Sequence, residues 1–535
     1  MPTDEALNQP PPLEVNLFAA DRVLREAVDR EGAGWARAQL LELGQLAGSR
    51  AAQAWAAQAN ENPPRLRTHD RYGSRIDEVE FHPAWHELMR VAVAHGIHCL
   101  PWEEDRAGGH VARAALMFLD SQCEQGHGCP ISMTYSAVPA LRRQPELADE
   151  WEPRILTRSY DPRFAPAGQK SGALIGMAMT EKQGGSDVRA NTTRAVRDGG
   201  AFRLTGHKWF CSAPMSDAFL VLAQAPGGLS CFLLPRWTPD GARNRFFLQR
   251  LKDKLGNRSN ASSEVEFDGA WAQLLGEEGR GVPAILEMVN HTRLDCVIGA
   301  AAVLRQAQWQ AAYHCAHRSA FGKRLVEQPL MRNVLADLCV EAEAAVLLMM
   351  RLARAYDRPE ESAFRRIATA VSKYWVCKRA PAGVGEALEC LGGNGYVEES
   401  GLPRLYREAP LNSIWEGSGN VICLDVLRAL AKDPGASEAL LGELREARGA
   451  DRRLDAHVDL AQALLARAED GQARRLVEAL ALSLQGTLLV RHGPAEVADA
   501  FCASRLSGDW GRTLGTLPRG VDLRALARRG EPAAA

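Results

Sequence analysis

The chain has 535 residues, of which 46% are hydrophobic and 24% are charged, and its formal net charge is −2 at pH 7. This composition is typical of a folded globular protein and excludes a disordered or fibrous chain. The length predicts several structural units, and the near-neutral charge means that any nucleic-acid contact must come from a local basic patch.

The first twelve residues are rich in proline and are predicted to be extended. They lack a basic segment followed by an apolar one, so no signal peptide is predicted. No apolar run approaches the ~20 residues that a membrane-spanning helix needs. Twelve scattered cysteines without a CxxC pair indicate reduced thiols and a cytoplasmic protein.

Hydrophobic periodicity predicts three kinds of segment in order. The first 170 or so residues are mostly helical, and residues 176–278 show short period-two strands such as Phe202–Phe210 and the buried run Ala218–Ala223. Helices are then predicted at 283–317, 328–356, 362–389 and 421–432, and the last hundred residues are helical with a loop-like tail from Ser507. The predicted fold is therefore multi-domain α+β. Its domains are 1–175 (helical, with an N-terminal arm), 176–282 (β), 283–432 (helical bundle) and 433–535 (an added helical domain).

The segment Met177–Val188 carries two hydroxyls, Thr180 and Ser186, around a Gly-Gly turn. Backbone amides that glycines expose can bind a polar ring edge or a phosphate. A plain polar β-turn is the alternative.

The segment His207–Ser212 places a tryptophan and a small hydroxyl on one strand. Such a pair can flank a flat ring and bind its edge, although an aromatic side chain of the β core explains it as well.

The segment Asn412–Asn420 places Glu416 before a glycine-rich turn and the N-terminus of a helix. That N-terminus can hold an anion, and apolar neighbours can raise the pKa of Glu416 toward that of a general base. A glutamate that only complements the helix dipole is the alternative.

Three further patterns give weaker evidence for a functional site. Leu391–Tyr396 can be a simple helix C-cap, and Gly279–Ala284 fits a dinucleotide pattern without the βαβ unit that the pattern needs. His314 with His317, and Cys123 with His127 and Cys129, lack a recognised zinc spacing, so no metal site is predicted.

Taken together, these motifs resemble the acyl-CoA dehydrogenase flavoprotein family. The matching segments are Thr180–Asp187, Lys208–Ser212, Arg318–Gly322 with Gln328, Leu391–Gly395, and Glu416-Gly417. The resemblance implies an N-terminal helical domain, a β domain and a helical bundle around FAD, usually in a homotetramer. Trp209 follows Lys208 directly, which departs from the family's Lys-x-Trp spacing.

The resemblance also implies site residues. Thr180 and Ser212 would hold the edge of the flavin ring, and Arg318 and Gln328 would contact the dinucleotide half, partly across a subunit boundary. The full implied cofactor set is Met177, Met179, Thr180, Gly185, Ser186, Trp209, Phe210, Cys211, Ser212, Arg318, Gln328, Gly392, Gly393, Ile414, Trp415, Gly417, Ser418 and Asn420.

For catalysis, the resemblance implies that Glu416 removes the substrate α-proton, with Arg293 nearby. Some relatives carry their base directly before the arginine that matches Arg293, but here that residue is Thr292. Trp415, with Ser418, Asn420 and Glu389, departs from the commoner family residues, which puts ordinary acyl-CoA chemistry in doubt.

Five further segments resemble a bacterial branch of the family that is associated with protection of DNA from alkylating agents. They are Asn8–Leu13, Arg30–Trp35, Phe81–His86, Lys182–Val188 and Leu251–Ala261. This resemblance implies weak dehydrogenase activity and binding of double-stranded DNA through the C-terminal unit. A fully active dehydrogenase or oxidase on a branched or short acyl thioester is the alternative function, and a scaffold that binds protein partners is a third.

The C-terminal charge pattern is ambiguous. Residues 433–535 contain 14 arginines, no lysine and 15 acidic residues, but 505–530 contain six arginines against two aspartates. The candidate DNA-binding residues are Arg428, Arg452, Arg453, Arg474, Arg475, Arg505 and Arg512. Phosphate contacts from them would be sequence-independent and salt-sensitive. Solvated arginine faces are the alternative.

Overall fold

The computed structural model describes residues 7–533, so the first six residues of the predicted N-terminal arm lie outside the described residues. The helices are α1 Leu17–Ala20, α2 Arg22–Arg30, α3 Arg37–Ala47, α4 Arg50–Glu61, α5 Pro83–Ala94, α6 Leu100–Glu103, α7 Gly109–Cys123, α8 Gly128–Leu141, α9 Pro145–Ile155, α10 Gly281–His317, α11 Pro329–Asp357, α12 Ser362–Cys390, α13 Leu402–Glu408, α14 Gly419–Lys432, α15 Pro434–Arg445, α16 Arg452–Leu465, α17 Ala473–His492, α18 Ala495–Phe501 and α19 Leu523–Arg529. The strands are β1 Arg65–His69, β2 Arg75–Glu80, β3 Ile175–Ala178, β4 Arg194–Asp198, β5 Ala201–Ser212, β6 Ala218–Ala225, β7 Gly228–Pro235, β8 Phe246–Leu251, β9 Ser262–Leu275, β10 Ser319–Ala320 and β11 Lys323–Arg324.

The chain divides into two compact units. The first comprises Met1–Arg50, Ala107–Gln122 and Arg293–Ala535, and the second comprises Ala51–Arg106 and Cys123–Thr292. The four-domain division at 175, 282 and 432 stays a prediction. Within residues 7–533, no helix combines the length and the apolar character needed to cross a bilayer.

The second unit contains the predicted β segment as a closed sheet. Its strand order is β3-β6-β4-β5-β9-β7, β8 pairs with β9, and β6 pairs with β7 to close the barrel. Alternate residues of these strands fill the interior, because successive side chains of a strand point to opposite faces. The core holds five phenylalanines, Phe202, Phe219, Phe232, Phe246 and Phe267.

The prediction of a mostly helical start missed the antiparallel hairpin β1–β2. At its turn, Asp70 Oδ1 accepts hydrogen bonds from the amides of Tyr72 (2.8 Å) and Ser74 (2.9 Å). Leu66 is the one apolar residue among the five of the first strand, so the strand lacks the repeated hydrophobic alternation that reveals a strand in the sequence. Arg75 in the second strand donates to the carbonyl of Leu248 (2.8 Å), which ties the hairpin to β8.

The long helices that the periodicity predicts are present, and α10, α11 and α12 confirm these predictions to within two residues at each end. Pro329 begins α11 at a position where its missing N–H costs nothing. Gly299 does not interrupt α10, because one glycine costs a helix only about 1 kcal/mol.

The predicted loop-like tail from Ser507 is only partly a loop. Asp522 caps the helix α19 by accepting hydrogen bonds from the amides of Arg524 and Ala525. Arg529 at its end donates to Glu343 Oε1 (2.5 Å), and Gln308 donates to the carbonyl of Gly530 (2.5 Å). The tail is therefore docked on the long helices of its own unit.

One cap in this unit predicts a dependence of stability on pH. Asp357, the last residue of α11, accepts hydrogen bonds from the amides of His110 (2.8 Å) and Val111 (3.1 Å) in α7. Burial raises the pKa of its carboxyl to about 6 despite these bonds. An unfolded aspartate titrates near about 3.9, so the folded state binds the extra proton between these values and stability falls as the pH rises through this window.

We therefore expect this group to lower the free energy of unfolding by on the order of 2 kcal/mol between pH 4 and pH 7. Urea unfolding of the wild type and of Asp357→Asn at a series of pH values measures it. The difference in unfolding free energy between the two proteins should change across this window. A constant difference would contradict the prediction.

Candidate functional site

The loop after β3 is held against β5 by one buried ion pair. Lys208 donates to Glu181 Oε1 (2.8 Å) and to the carbonyl of Leu222 (2.8 Å), and both charged side chains are fully buried. Thr192 and Thr193 add hydrogen bonds from their amides and hydroxyls to the same carboxylate. This arrangement fixes the loop that begins at Thr180.

The electrostatics of this pair follow from its burial. Burial lowers the pKa of Lys208 to about 8, although Glu181 opposes that shift. Burial alone would raise the pKa of Glu181, but the charge and hydrogen bonds of Lys208 and Thr193 hold it well below the ordinary value. The pair is therefore charged at neutral pH, and its role is to position the loop.

Thr180 lies half-buried at the end of β3, and its carbonyl accepts a hydrogen bond from the amide of Trp209 (2.8 Å). A Cβ on Gly185 would lie only 2.3 Å from Thr180 Oγ1, so the Gly-Gly turn packs directly on this hydroxyl. Met177 and Met179 are half-buried beside it, and Ser186 is exposed. The structure thus brings together the predicted residues of the first motif.

A β-bulge changes the expected pattern of β5. Trp209 and Phe210 together lie opposite Glu264, so the predicted alternation breaks there and both Lys208 and Cys211 point into the barrel. The thiol of Cys211 is fully buried, and this burial raises its pKa to about 12.

The same bulge distinguishes the two aromatic residues. Lys252 Nζ lies 3.4 Å from the centre of the Trp209 ring and covers it as a cation–π contact. Phe210 is 51% exposed, and Ser212 is half-buried. Lys252 Nζ also lies 4.8 Å from the centre of the Phe210 ring, so the two predicted aromatic residues differ in their exposure and share this cation.

In the first unit, Glu416 lies in an unusual turn. Its φ is +57°, in the left-handed region that non-glycine residues rarely adopt, and Gly417 follows with φ +105°. Such a conformation costs of order 1–3 kcal/mol and persists only where the surroundings impose it.

Two buried cations impose this turn. Lys373 donates to the carbonyls of Trp415 (2.8 Å) and Gly417 (2.5 Å), and Arg293 donates to the carbonyl of Glu416 (3.1 Å). Three consecutive carbonyls are thus fixed from two helices. The sequence did not single out Lys373, which lies inside α12 and carries no local signal.

Arg293 is held in turn by Asp425 of α14. Arg293 donates to Asp425 Oδ2 (2.7 Å), and Arg366 donates to Oδ1 (2.7 Å). Burial alone would raise the pKa of Asp425, but the charges of these two arginines lower it below its ordinary value. Arg293 is therefore a positioning residue that acts on the backbone of Glu416.

The remaining predicted cofactor residues of this unit form two exposed turns joined by the N-terminal arm. Arg318 donates to the carbonyl of Asn8 (2.9 Å), and Asn394, beside Gly392 and Gly393, donates to Gln9 Oε1 (3.0 Å). Gln328 donates to the carbonyl of Ala320 (3.1 Å) and closes the β10–β11 turn. Sequence reasoning missed this role of the arm, although Asn8 and Gln9 belong to a segment that carries the resemblance.

The residues around the start of α14 complete the predicted set. Ile414 and Ser418 are exposed, and Trp415 is half-buried and donates to Asn412 Oδ1 (2.9 Å). Asn420 is exposed and accepts a hydrogen bond from Arg474 (2.8 Å).

The candidate DNA-binding arginines divide into three kinds. Five are exposed, and four of these have no other role in the site described above: Arg428, Arg452, Arg475 and Arg512. Arg453 is paired with Asp451 and Asp499, and Arg474 contacts Asn420. Arg505 does not belong on this surface, because it is buried and paired with Asp337 and Glu341.

Comparisons with known proteins agree with this fold. Residues 8–162 match the adaptive response protein AidB N-terminal domain, residues 176–270 the acyl-CoA dehydrogenase middle domain, and residues 279–431 the acyl-CoA dehydrogenase C-terminal domain. The AidB protein of Escherichia coli (strain K12) is 49% identical over 507 residues, which cover 94% of this chain and 94% of that protein.

Two solved structures extend the comparison. Caenorhabditis elegans ACDH-11 in complex with C11-CoA superposes with a TM-score of 0.85 at 29% identity, covering 94% of this chain and 93% of that one. A Mycobacterium smegmatis glutaryl-CoA dehydrogenase in complex with FADH2 shares the fold, with a TM-score of 0.60 at 23% identity over 78% of this chain and 99% of that one. Members of the family use FAD. The resemblance and the fold predicted from the sequence are thereby confirmed, and the chain belongs to the acyl-CoA dehydrogenase family, within its AidB group.

Proposed function

We propose that the protein is an FAD-containing, AidB-like flavoprotein with weak or residual acyl-CoA dehydrogenase activity, and that it binds double-stranded DNA in the response to alkylation damage. The observation that carries the enzymatic part is the clamped left-handed turn at Glu416. A fold that holds the backbone of a glutamate in a strained conformation supports a functional role for that residue.

The residues of the chain fit FAD. Thr180 beside Gly185 forms a tight hydroxyl-lined turn, and the exposed Phe210 offers a flat apolar face next to Ser212. In the other unit, Ser418 and Asn420 present polar groups at the start of α14. When bound, FAD would accept a hydride equivalent from the β-carbon of the acyl group.

Glu416 would accept the α-proton of the thioester on its carboxylate. Arg293 and Lys373 would hold the backbone of that turn, so that the side chain of Glu416 starts from a fixed position. Trp415 would limit the length of acyl chain that reaches the carboxylate.

Anaerobic titration of the purified protein with a series of acyl-CoA thioesters tests this proposal. We expect flavin absorbance in the isolated protein and slow bleaching by some of these thioesters. Fast bleaching and turnover would favour the alternative, a fully active dehydrogenase or oxidase on a branched or short acyl thioester. A protein that never retains flavin would overturn both proposals.

The DNA-binding part rests on four of the exposed arginines of the C-terminal helices and tail, Arg428, Arg452, Arg475 and Arg512. Their guanidinium groups can contact phosphates without reading the sequence. Deleting the chain after Lys432 is a poor test, because Trp375 donates to Gln485 and Arg505 pairs with Asp337, so the deletion would leave buried groups unpaired.

We expect alanine at these four positions to weaken duplex binding by about tenfold or more and to lower the slope of log affinity against log salt by up to about 3–4. Fluorescence anisotropy with a labelled duplex at several salt concentrations measures both. The control variant loses the same charge from four exposed arginines of the other unit, Arg65, Arg71, Arg189 and Arg194. Equal losses in both variants would mean that net charge alone is responsible.

A cytoplasmic homotetramer completes the proposal. Phe321, Leu330 and Tyr396 are large side chains that are more than 80% exposed, and an interface with further copies would cover them. All twelve cysteines are buried and none forms a disulfide, which fits a reducing compartment. The molar mass in solution, measured by light scattering, tests the assembly.

A further inference from the structure

Arg474, at the start of α17, makes a contact that a DNA-binding arginine does not need. Its Nε donates a hydrogen bond to Asn420 Oδ1 (2.8 Å), and its guanidinium carbon lies 6.0 Å from the centre of the Tyr374 ring. The two bonded residues are 54 positions apart in the sequence. The contact therefore joins the added C-terminal region to the segment directly after Glu416.

This hydrogen bond determines which way the amide of Asn420 points. An arginine can only donate, so the atom that it binds must be the amide oxygen. The Nδ2 group of Asn420 then points away from Arg474 and offers two N–H donors. Asn420 thus presents donors to whatever approaches the start of α14.

A second cation lies at the same place. A Cβ on Gly419 would lie 3.0 Å from Lys378 Cε, 3.3 Å from Arg474 Nη2 and 3.4 Å from Tyr374 Cε2. Lys378 and Arg474 therefore converge on this glycine, and both are exposed. Two cations, a fixed amide donor and the first amides of α14 all favour an anionic ligand with acceptor oxygens.

We propose that Arg474 is a positioning residue of the cofactor site, which orients Asn420 so that its N–H donors, together with Lys378, bind the diphosphate of FAD. This inference rests on the proposed function, because it requires that the protein binds FAD. It also assigns Arg474 to the cofactor and removes it from the set of duplex-binding residues.

Titration of the apoprotein with FAD, followed by quenching of flavin fluorescence, tests the proposal. We expect Arg474→Ala to weaken FAD binding by about tenfold, the loss typical of one hydrogen bond to a charged group. The matched control is Arg475→Ala, which removes the same charge from the adjacent exposed position and should leave FAD affinity within about twofold. ADP carries only the diphosphate half of the cofactor and is used as a competitor. Its affinity for the variants should follow the same order as that of FAD.

A double-mutant cycle separates positioning from a general charge effect. If Arg474 acts by orienting Asn420, then adding Arg474→Ala to Asn420→Ala should weaken FAD binding by much less than about tenfold, because the single changes disrupt the same interaction. Equal melting temperatures of the apoproteins would show that all variants fold.

The outcomes separate the two proposals. If the wild type does not bind FAD, the proposed function fails. If the wild type binds FAD but Arg474→Ala binds it equally well, or if Arg474→Ala and Arg475→Ala weaken binding equally, only the role of Arg474 is overturned. Strictly additive effects in the cycle would also overturn it.

Discussion

Replacing Glu416 with glutamine is expected to slow reduction of the flavin by acyl-CoA by about 10²- to 10⁴-fold, the usual contribution of a positioned general base. Glutamine keeps the size of the side chain and the clamped backbone but cannot accept the α-proton. Stopped-flow absorbance under anaerobic conditions measures the rate. FAD content and melting temperature should stay at the wild-type level.

Glu360→Gln is the matched control, because Glu360 is an exposed glutamate of the same unit that belongs to none of the predicted site segments. It should leave the rate within about twofold of the wild type, as an exposed surface change does. If Glu416→Gln kept the wild-type rate, the proton would have to go to another group. Thr292, at the alternative base position of the family, offers no carboxylate for that role.

The second large effect concerns the ion pair beneath the Thr180 loop. We expect Lys208→Met to lower the free energy of unfolding by about 3–5 kcal/mol, because it leaves the buried carboxylate of Glu181 without its cation. Urea unfolding followed by fluorescence measures the change. The double change Lys208→Met with Glu181→Gln should recover part of the loss, since no uncompensated charge then remains.

Lys182→Met is the control for that experiment. Lys182 lies next to Glu181 in the sequence but is exposed, so its replacement should change stability by at most about 0.5 kcal/mol. A loss in Lys208→Met no larger than in this control would mean that the pair contributes little to the barrel. Loss of FAD binding in Lys208→Met while the protein stays folded would indicate that the pair positions the Thr180 loop.

Several features could be predicted from short-range patterns alone. The long helices α10 to α12 were predictable because apolar residues recur with helical spacing over about thirty residues. Glu416 stood out because it precedes a glycine turn and a helix. The hairpin β1–β2 was not predictable in this way, because its first strand has five residues and only one of them, Leu66, is apolar.

Other features depend on contacts between residues far apart in the chain. Lys373 is an ordinary helix residue in the sequence, and only the fold brings its ammonium to the carbonyls of Trp415 and Gly417, more than 40 positions away. Arg505 lies in an arginine-rich tail, and its charge alone predicts that it is exposed to solvent. In the fold it is buried and forms ion pairs with Asp337 and Glu341.

By itself the sequence predicted the order of helical and β segments, the family resemblance and Glu416 as the candidate base. These features are local, because they follow from periodicity and from residues that are neighbours in the chain. The tertiary structure decided which charged side chains are buried, which aromatic ring of β5 stays exposed, and which arginines remain free for a partner. Those outcomes depend on burial and pairing across the fold, and a linear pattern of residues does not contain that information.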